Sequence, residues 1–572
     1  MKTKNGFIHK NYIYLLCAIA GAIIFITIYG TLPLDVSYDS WIFNNYIETD
    51  IVQRYAGWLA YRNSSTVLPF TFSDTIAWPF GDWASLTDGM PLIILIFKLL
   101  DPLLPTVFQF CGIVCLFNMI MQAVCGAKLL SLFTDDRLNL FIGSIVFCFS
   151  PVLIERFFRH TSLSFHWMIL LAAYLYFSGL KNKRISVNIG FICLSVMSVW
   201  LHLYFTPMII GFFTAYIADC FIQKKLRLPD CAMYFTAFVL CIVSAKMLGI
   251  LDMGMGNTSG YGYMGMNLNA LFNPVSLDSD WWVPGRGKLD WSVFLPVRAL
   301  AENNLESFNY LGFGVLLSLV VFVTRGIVAF FRNRTALFNY IKGFLLKHLF
   351  LCLFLGFSTL FAISNVVCAF SYVLIRIPLP DFILQIFNAF RASGRLFWSV
   401  NYMLVLLAVV HLIHISKNRK YIGTIALAVM LAIQIIDLSG IIAVKKAGFA
   451  APQPYYNQAV TDEIINAAGD DDVAYFLEFK DDRALCGQLL KNGISNNLWL
   501  ISRDSYGVEK QQNLIVQTKE ALLSGDIPFE NCMYLTTDGR LADKIAAAND
   551  DIQIITAGGH YCLKHTKNKE AA

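Results

Sequence analysis

The sequence predicts an α-helical polytopic membrane protein with a small soluble α/β domain at its C-terminus. Three observations predict it. The 572 residues are 57% hydrophobic and only 15% charged, where a soluble chain carries about 25% charged residues. The apolar residues gather in runs of roughly twenty, the length a bilayer demands. From about residue 445 these runs stop, and short strand-like and helix-like segments alternate instead. This composition excludes a disordered, coiled-coil or nucleic-acid-coating protein, and also an ordinary cytosolic enzyme. The net charge of +5 is no nucleic-acid footprint, because the basic residues sit in short loops between apolar runs.

The first run, 11–30, follows Lys2, Lys4 and Lys10. It is long for a signal-peptide core and lacks a small-residue cleavage site, so it reads as an uncleaved first helix. Further spans fall at 106–131, 138–154, 164–180, 186–201, 203–222, 231–250, 309–331, 346–366, 397–415 and 421–439. The run 90–104 holds Lys98, Asp101 and prolines, and is too broken for a crossing. With the N-terminus inside and 90–104 dipping, the clusters Lys2/Lys4/Lys10, Lys128/Arg137, Lys181/Lys183/Arg184, Lys224/Lys225/Arg227, Arg325 to Lys347 and Lys417/Arg419/Lys420 all face inside. The expectation is about eleven crossings, and about thirteen at most.

This topology places the long loops 32–89, 251–308 and 367–396 on the outside together with the tail. Long ordered loops are where chemistry concentrates. The domains are therefore 1–444, in the membrane, and 445–572, outside, with "APQPYYN" (451–457) as linker. In the tail, strands are expected at Val473–Phe479, Leu498–Ser502, Met533–Leu535 and Ile552–Ile555, and helices at Asn513–Leu523 and Leu541–Ala548. The fourteen cysteines show no CxxC or metal-like His/Cys spacing, so neither a disulfide scaffold nor a zinc site is expected.

The first loop is acidic, with Asp35, Asp39, Glu48, Asp50, Asp74, Asp82 and Asp88 against Arg54 and Arg62. Asp50, Gln53 and Gly57 share one helical face, flanked by Trp58 and Tyr61. A carboxylate among aromatics near the membrane surface can act as a general base; the competing reading is a solvated acidic loop. In 251–308, Gly260, Gly262 and Gly265 spell GxGxxG without a flanking strand or βαβ unit, so no dinucleotide site is inferred. The stretch "GYGYMGMNLNALFNP", which includes Asn267, reads as an aromatic loop able to order over a ligand. Asp280, Trp281 and Trp282 suit sugar stacking or an interfacial aromatic belt. Glu306 is either a site carboxylate or a helix N-terminal charge.

Arg376, Arg391 and Arg395 place positive charge outside, against the general pattern. A lipid phosphate or pyrophosphate explains them, since guanidinium binds phosphate oxygens in a bidentate way; headgroup anchoring is the alternative. The break "SPVLIERFFRHTSLSFHW" interrupts two spans with Pro151, Glu155, Arg156, Arg159, His160 and His166, and "WLHLYF" contributes His202 and Tyr204. Each histidine alone reads as a packing residue, but several on one membrane face suggest a polar cavity.

The segments "DIVQRYAGWLAYR" (50–62), "TDGMPLIILIFKLLDPLLPTVFQFCG" (87–112), "SPVLIERFFRHTSLSFHWMILLAAYLY" (150–176), "GYGYMGMNLNALFNP" (260–274), "ESFNYLGFG" (306–314) and "FRASGRLFW" (390–398) resemble the GT-C superfamily of integral-membrane glycosyltransferases. The nearer resemblance is to a bacterial polytopic membrane-protein family of that type. The resemblance implies an inverting hexosyl- or pentosyltransferase of the bacterial inner membrane. It implies a polyprenyl-phosphate sugar donor and an envelope glycan or lipid acceptor, with no nucleic-acid partner. It carries the base to Asp50, with Asp39 second, and phosphate binding to Arg391 and Arg395. Gln53, Arg62, His160, His166, Tyr204, Asn267 and Glu306 complete the expected substrate site. No cofactor is assigned, and a divalent metal ion is the one candidate left open. The alternatives are a flippase or transporter of a lipid-linked saccharide, or a non-catalytic envelope-assembly protein.

Overall fold

The computed structural model describes residues 2–43, 49–65, 67–181, 185–252, 260–275, 291–304, 306–415, 420–450, 458–479, 482–498 and 507–566. In chain order the helices begin with α1 (Lys2–Tyr29), α2 (Thr49–Asn63), α3 (Pro91–Leu99), α4 (Cys111–Leu130), α5 (Arg137–Cys148), α6 (Pro151–Arg156) and α7 (Trp167–Lys181). There follow α8 (Ile185–Leu201), α9 (Phe205–Ile222), α10 (Leu228–Met247), α11 (Phe313–Arg332), α12 (Arg334–Lys347), α13 (Leu349–Ile363) and α14 (Asp381–Asn388). The last are α15 (Trp398–Ile413), α16 (Lys420–Asp437), α17 (Ser439–Gly448), α18 (Gln458–Ala468), α19 (Arg483–Lys491), α20 (Gly507–Leu523) and α21 (Gly539–Ala548). The strands are β1 (Phe72–Ser73), β2 (Asp82–Trp83), β3 (Val366–Ala369), β4 (Tyr372–Arg376), β5 (Val473–Phe476), β6 (Ser495–Asn496), β7 (Cys532–Thr536), β8 (Ile552–Ala557) and β9 (His560–His565).

Seven helices among the described residues are long and apolar enough to cross a membrane, or nine if each of two bent pairs is one span. The chain is a helical polytopic membrane protein. The expected span 138–154 is interrupted: α5 ends at Cys148 and Pro151 starts α6, because proline disfavours helix in the residue before it. The expected span 346–366 is α13, bent by 84° from α12. The run 90–104 holds only the nine-residue α3, too short to cross.

The chain divides into two compact units. One comprises Met1–Asp35, Phe110–Ile242 and Thr258–Ala451, and the other Val36–Gln109, Val243–Asn257 and Pro452–Ala572. The sequence reading cut the chain between 444 and 445; the structure instead folds the first long loop with the tail.

In the first unit, helices meet where glycine permits close approach. A Cβ on Gly21 of α1 would lie 2.8 Å from the Met119 carbonyl of α4, the small-residue packing used in lipid, where apolar burial drives little. Buried acids serve as caps for neighbouring helices. Asp437 accepts from the Phe313 N–H at the start of α11 (2.9 Å) and from the Tyr310 hydroxyl (2.7 Å). Asp219 does the same for α13 through Phe350 N–H (2.9 Å) and for the Tyr176 hydroxyl (2.7 Å). These contacts satisfy orphan helix N–H groups that water cannot reach.

In the second unit the tail forms a five-stranded mixed sheet of order β6-β5-β7-β9-β8. β5 runs parallel to β6 and β7, while β9 is antiparallel to β7 and β8. The β8–β9 hairpin, with β9 unforeseen, turns on Gly558 and Gly559 at φ +56° and +74°, the left-handed pair a two-residue hairpin requires. The expected strand 498–502 is not found at its described residue, Leu498; β6 lies just before it. The linker 451–457 and residues 499–502 lie outside the described residues.

The first loop packs into this domain. Trp78 stacks edge-on against Phe529 at 4.7 Å and Tyr475 at 6.1 Å, and its N–H donates to the Asn496 carbonyl (3.1 Å). α3 secures α2: Lys98 Nζ donates to the carbonyls of Arg62 and Ser64, each at 2.7 Å, capping the helix C-terminus with a cation.

Candidate functional site

In the first unit the break after α5 builds a buried charged cluster. Pro151 opens the short helix α6, which delivers Glu155 and Arg156 at its end. Phe158 then takes φ +68°, a left-handed conformation that costs a bulky residue energy and persists only where packing enforces it. Here the ring is held by Tyr29 at 5.1 Å and Phe449 at 4.8 Å. The turn brings Arg159 and His160 back beside α6. Arg159 pairs with Glu155, and the His160 ring nitrogen Nδ1 lies 3.4 Å from Arg156 Nη1.

Glu306 is the centre. Its Oε2 accepts from Arg156 Nη2 at 2.6 Å and its Oε1 accepts from Arg395 Nη2. Burial pushes the Glu306 carboxyl up, but Arg156, Arg395 and His160 more than reverse this and hold it well below the usual carboxylate range. Burial likewise draws Arg156 down, opposed by Glu306; a guanidinium stays charged regardless. Glu306 lies seven residues before α11 begins at Phe313, so the helix-terminus reading of this acid is corrected: its partners are arginines, not a dipole.

Aromatic faces hold the arginines. Arg156 lies over Trp398 (5.2 Å to the centroid) and Arg395 over Tyr204 (4.9 Å), which favours a cation removed from water. The Tyr204 hydroxyl accepts from Ala392 N–H at 2.9 Å. His166 stacks on Trp398 at 4.3 Å, with its Nδ1 2.8 Å from the Tyr402 hydroxyl. Gly394 is required: a Cβ there would sit 2.2 Å from the Glu306 carbonyl oxygen. Asn309 Nδ2 donates to the Gly394 carbonyl (3.1 Å), and Asn401 Nδ2 to that of Asn309 (3.0 Å).

Among the described residues, the guanidinium groups of Arg156, Arg159 and Arg395 thus gather with the carboxylates of Glu155 and Glu306 in a buried setting. Arg156 Nε and His166 Nε2 have no hydrogen-bond partner among the described residues. Buried polar atoms are normally satisfied, so these two stand out within the cluster. Arg391 stands beside Gly260, whose Cβ would lie 3.2 Å from the Arg391 side chain.

Of the expected site residues, the structure brings together His160, His166, Tyr204, Glu306 and Arg395. Asn267 is spent on joining its own loop to the loop 367–396. Its Nδ2 donates to Asn304 Oδ1 (2.9 Å) and the Phe370 carbonyl (2.8 Å), and its Oδ1 accepts from Phe370 N–H (3.0 Å). The three glycines of GxGxxG are spacers, packed against Arg391, Asn365 and Ser364. Asp280, Trp281 and Trp282 lie outside the described residues.

The loop acids belong to the second unit. Asp39 is 3% exposed; its Oδ1 pairs with Lys491 Nζ at 2.8 Å and its Oδ2 accepts from the Tyr55 hydroxyl at 3.1 Å. Asp50 Oδ1 pairs with Arg483 Nη1 at 3.1 Å and keeps 36% of its side chain exposed. Both partners lie on α19, which Gly487 lets close on α2: a Cβ would meet Ala56 Cβ of α2 at 3.3 Å, and the Phe43 ring before that helix at 2.7 Å. Gln53 is buried with its Oε1 unpaired among the described residues. Arg62 clamps the next segment, donating to Asp101 (2.7 Å) and to the carbonyls of Thr106 (2.6 Å) and Pro105 (2.9 Å).

Trp398, Asn401 and Tyr402 were not singled out from the sequence, and Arg156 and Arg159 only as charges in the break 150–167, without a site role of their own. The available signal was charge and amide groups inside apolar runs, which signal a polar interior. Among the described residues no group of three or more His, Cys, Asp or Glu side chains could hold a metal ion. The described residues therefore offer no donor set for a divalent ion, and no step is routed through one. No curated protein matches this chain. A family model described as a domain of unknown function, DUF6311, matches residues 18–439, most of the chain; the protein belongs to that family.

Proposed function

We propose that this protein is a GT-C-like glycosyltransferase that moves a sugar from a polyprenyl-phosphate donor to an envelope glycan or lipid, on the extracytoplasmic face of a bacterial inner membrane. The observation that carries the reading is the buried gathering of arginines at Glu306, with Arg156 Nε unpartnered among the described residues. A polyprenyl phosphate is an anion delivered within the bilayer, and planar guanidinium groups on aromatic faces are suited to it. Arg156 and Arg395 hold the phosphate in this reading.

In the transfer step the acceptor hydroxyl oxygen attacks the anomeric carbon. The bond from that carbon to the phosphate oxygen breaks, and the polyprenyl phosphate leaves with its electron pair. The arginines stabilise the charge that develops on the leaving oxygen. The acceptor proton passes to a carboxylate. The resemblance gives this role to Asp50, with Asp39 second, and Asp50 keeps the more exposed carboxylate of the two.

The test uses membranes bearing the full chain, a polyprenyl-phosphate sugar and a defined envelope acceptor. Arg395→Lys and Asp50→Asn are expected to lower transfer by at least about a hundredfold, the range of one acid–base or oxyanion contact. Full transfer in both variants sinks the assignment. Movement of the donor across the bilayer with no new glycosidic bond would favour the transporter reading instead.

A further inference from the structure

The loop 367–396 carries an apolar surface that the cluster does not use. β3 faces inward: Val366 and Cys368 pack with Ala301, and the carbonyls of Cys368 and Phe370 each accept a backbone N–H at 2.9 Å, from Leu268 and Ala301. β4 is the outer edge of this two-stranded sheet, and all five of its residues are exposed. Tyr372 is 70% exposed, Leu374 55% and Ile375 56%. An open apolar edge of this kind is a liability in water. α14 repeats the pattern. Phe387 packs on Tyr261 (4.9 Å) and Phe361 (5.0 Å), and Asn388 Oδ1 accepts from Tyr261 N–H (2.9 Å). Phe382 and Ile386, four residues apart on the other face, are 65% and 62% exposed.

We propose that the β3–β4 hairpin and α14 together seat in the headgroup region of the bilayer, as a lipid-contacting continuation of α13. Leu353, Phe357 and Leu360 form an exposed apolar stripe along α13, at helical spacing. α13 has fifteen residues, so it reaches about 22 Å at ~1.5 Å per residue, short of the ~30 Å hydrocarbon core. The hairpin and α14 supply apolar surface at the end where the helix falls short. The unpaired backbone edge of β4 keeps the element out of the hydrocarbon centre. Tyr372 and the exposed Arg376 belong at headgroup level, where aromatic rings and basic side chains gather. The inference does not depend on the glycosyl-transfer reading.

The test is photocrosslinking of the full chain in phospholipid nanodiscs, with p-benzoylphenylalanine replacing Leu374 or Phe382. The same group at Leu360 is the lipid-facing reference, and at the exposed Arg540 of the tail the aqueous one. The expected result is a mass increase of one phospholipid at positions 374 and 382, in yield comparable to position 360, and none at 540. Crosslinks from 374 and 382 to a second copy of the chain overturn the proposal. So does an adduct at 360 with none at either test position.

Discussion

Two arginines share the Glu306 carboxylate, and burial makes each charge depend on the others. Removing one partner of a buried pair strands the rest, so Glu306→Gln is expected to destabilise the protein by about 3–5 kcal/mol. Its folded-state carboxyl is held below the ordinary range. A depressed carboxylate contributes stability above its unfolded pKa of ~4.3 and loses it as pH falls through the folded value. The gap between wild type and Glu306→Gln should therefore be constant from pH 8 to about 5, and narrow only below ~4.3. Thermal melts of the detergent-solubilised chain across that range measure it; a gap that closes near neutrality contradicts the assignment. Gly394→Ala should cost about 1–3 kcal/mol from overpacking, because the atom in its way is the Glu306 backbone carbonyl, which cannot rotate aside.

At the scale of elements, α19 on α2 is a contact made by charge at its edges and by a missing side chain at its centre. Lys491–Asp39 and Arg483–Asp50 are the ion pairs, and Gly487 lets the helices close. A double-mutant cycle on Asp39→Asn and Lys491→Met should give a coupling of roughly 1–2 kcal/mol, since one partner is buried. The Asp50–Arg483 pair is more exposed and should couple by less than about 1 kcal/mol. Denaturation of the four proteins in each cycle reads both values; equal couplings would remove the distinction drawn between the two acids. Gly487→Leu should loosen α19 from α2 and make residues 483–491 accessible to limited proteolysis.

At the scale of the whole molecule, the tail folds with the first long loop rather than alone. Trp78 of that loop packs with the tail residues Phe529 and Tyr475, besides the α19 contacts. Cleavage at a protease site inserted in 451–457 should therefore leave the tail fragment bound to the membrane fragment through gel filtration in high salt, because apolar packing survives screening. Release of the tail on cleavage would show the contact to be weak.

The membrane class, the cut-off of apolar runs near 445 and most tail elements were legible in the sequence, because run length and periodicity are local properties that the bilayer and the sheet impose directly. The arginines of the last loop and the carboxylate at 306 were legible as anomalies of charge. Their meeting was not. Arg156, Glu306 and Arg395 lie far apart in the chain, and only the packed helices place them on one carboxylate, with Gly394 permitting the approach. The first-loop acids show the same limit: the resemblance marked Asp50 and Asp39 as base candidates, while the fold gave each a basic partner from a helix more than four hundred residues away. Composition and period determined which solvent each segment meets; tertiary structure decided which charges meet, because pairing is a property of distance in space.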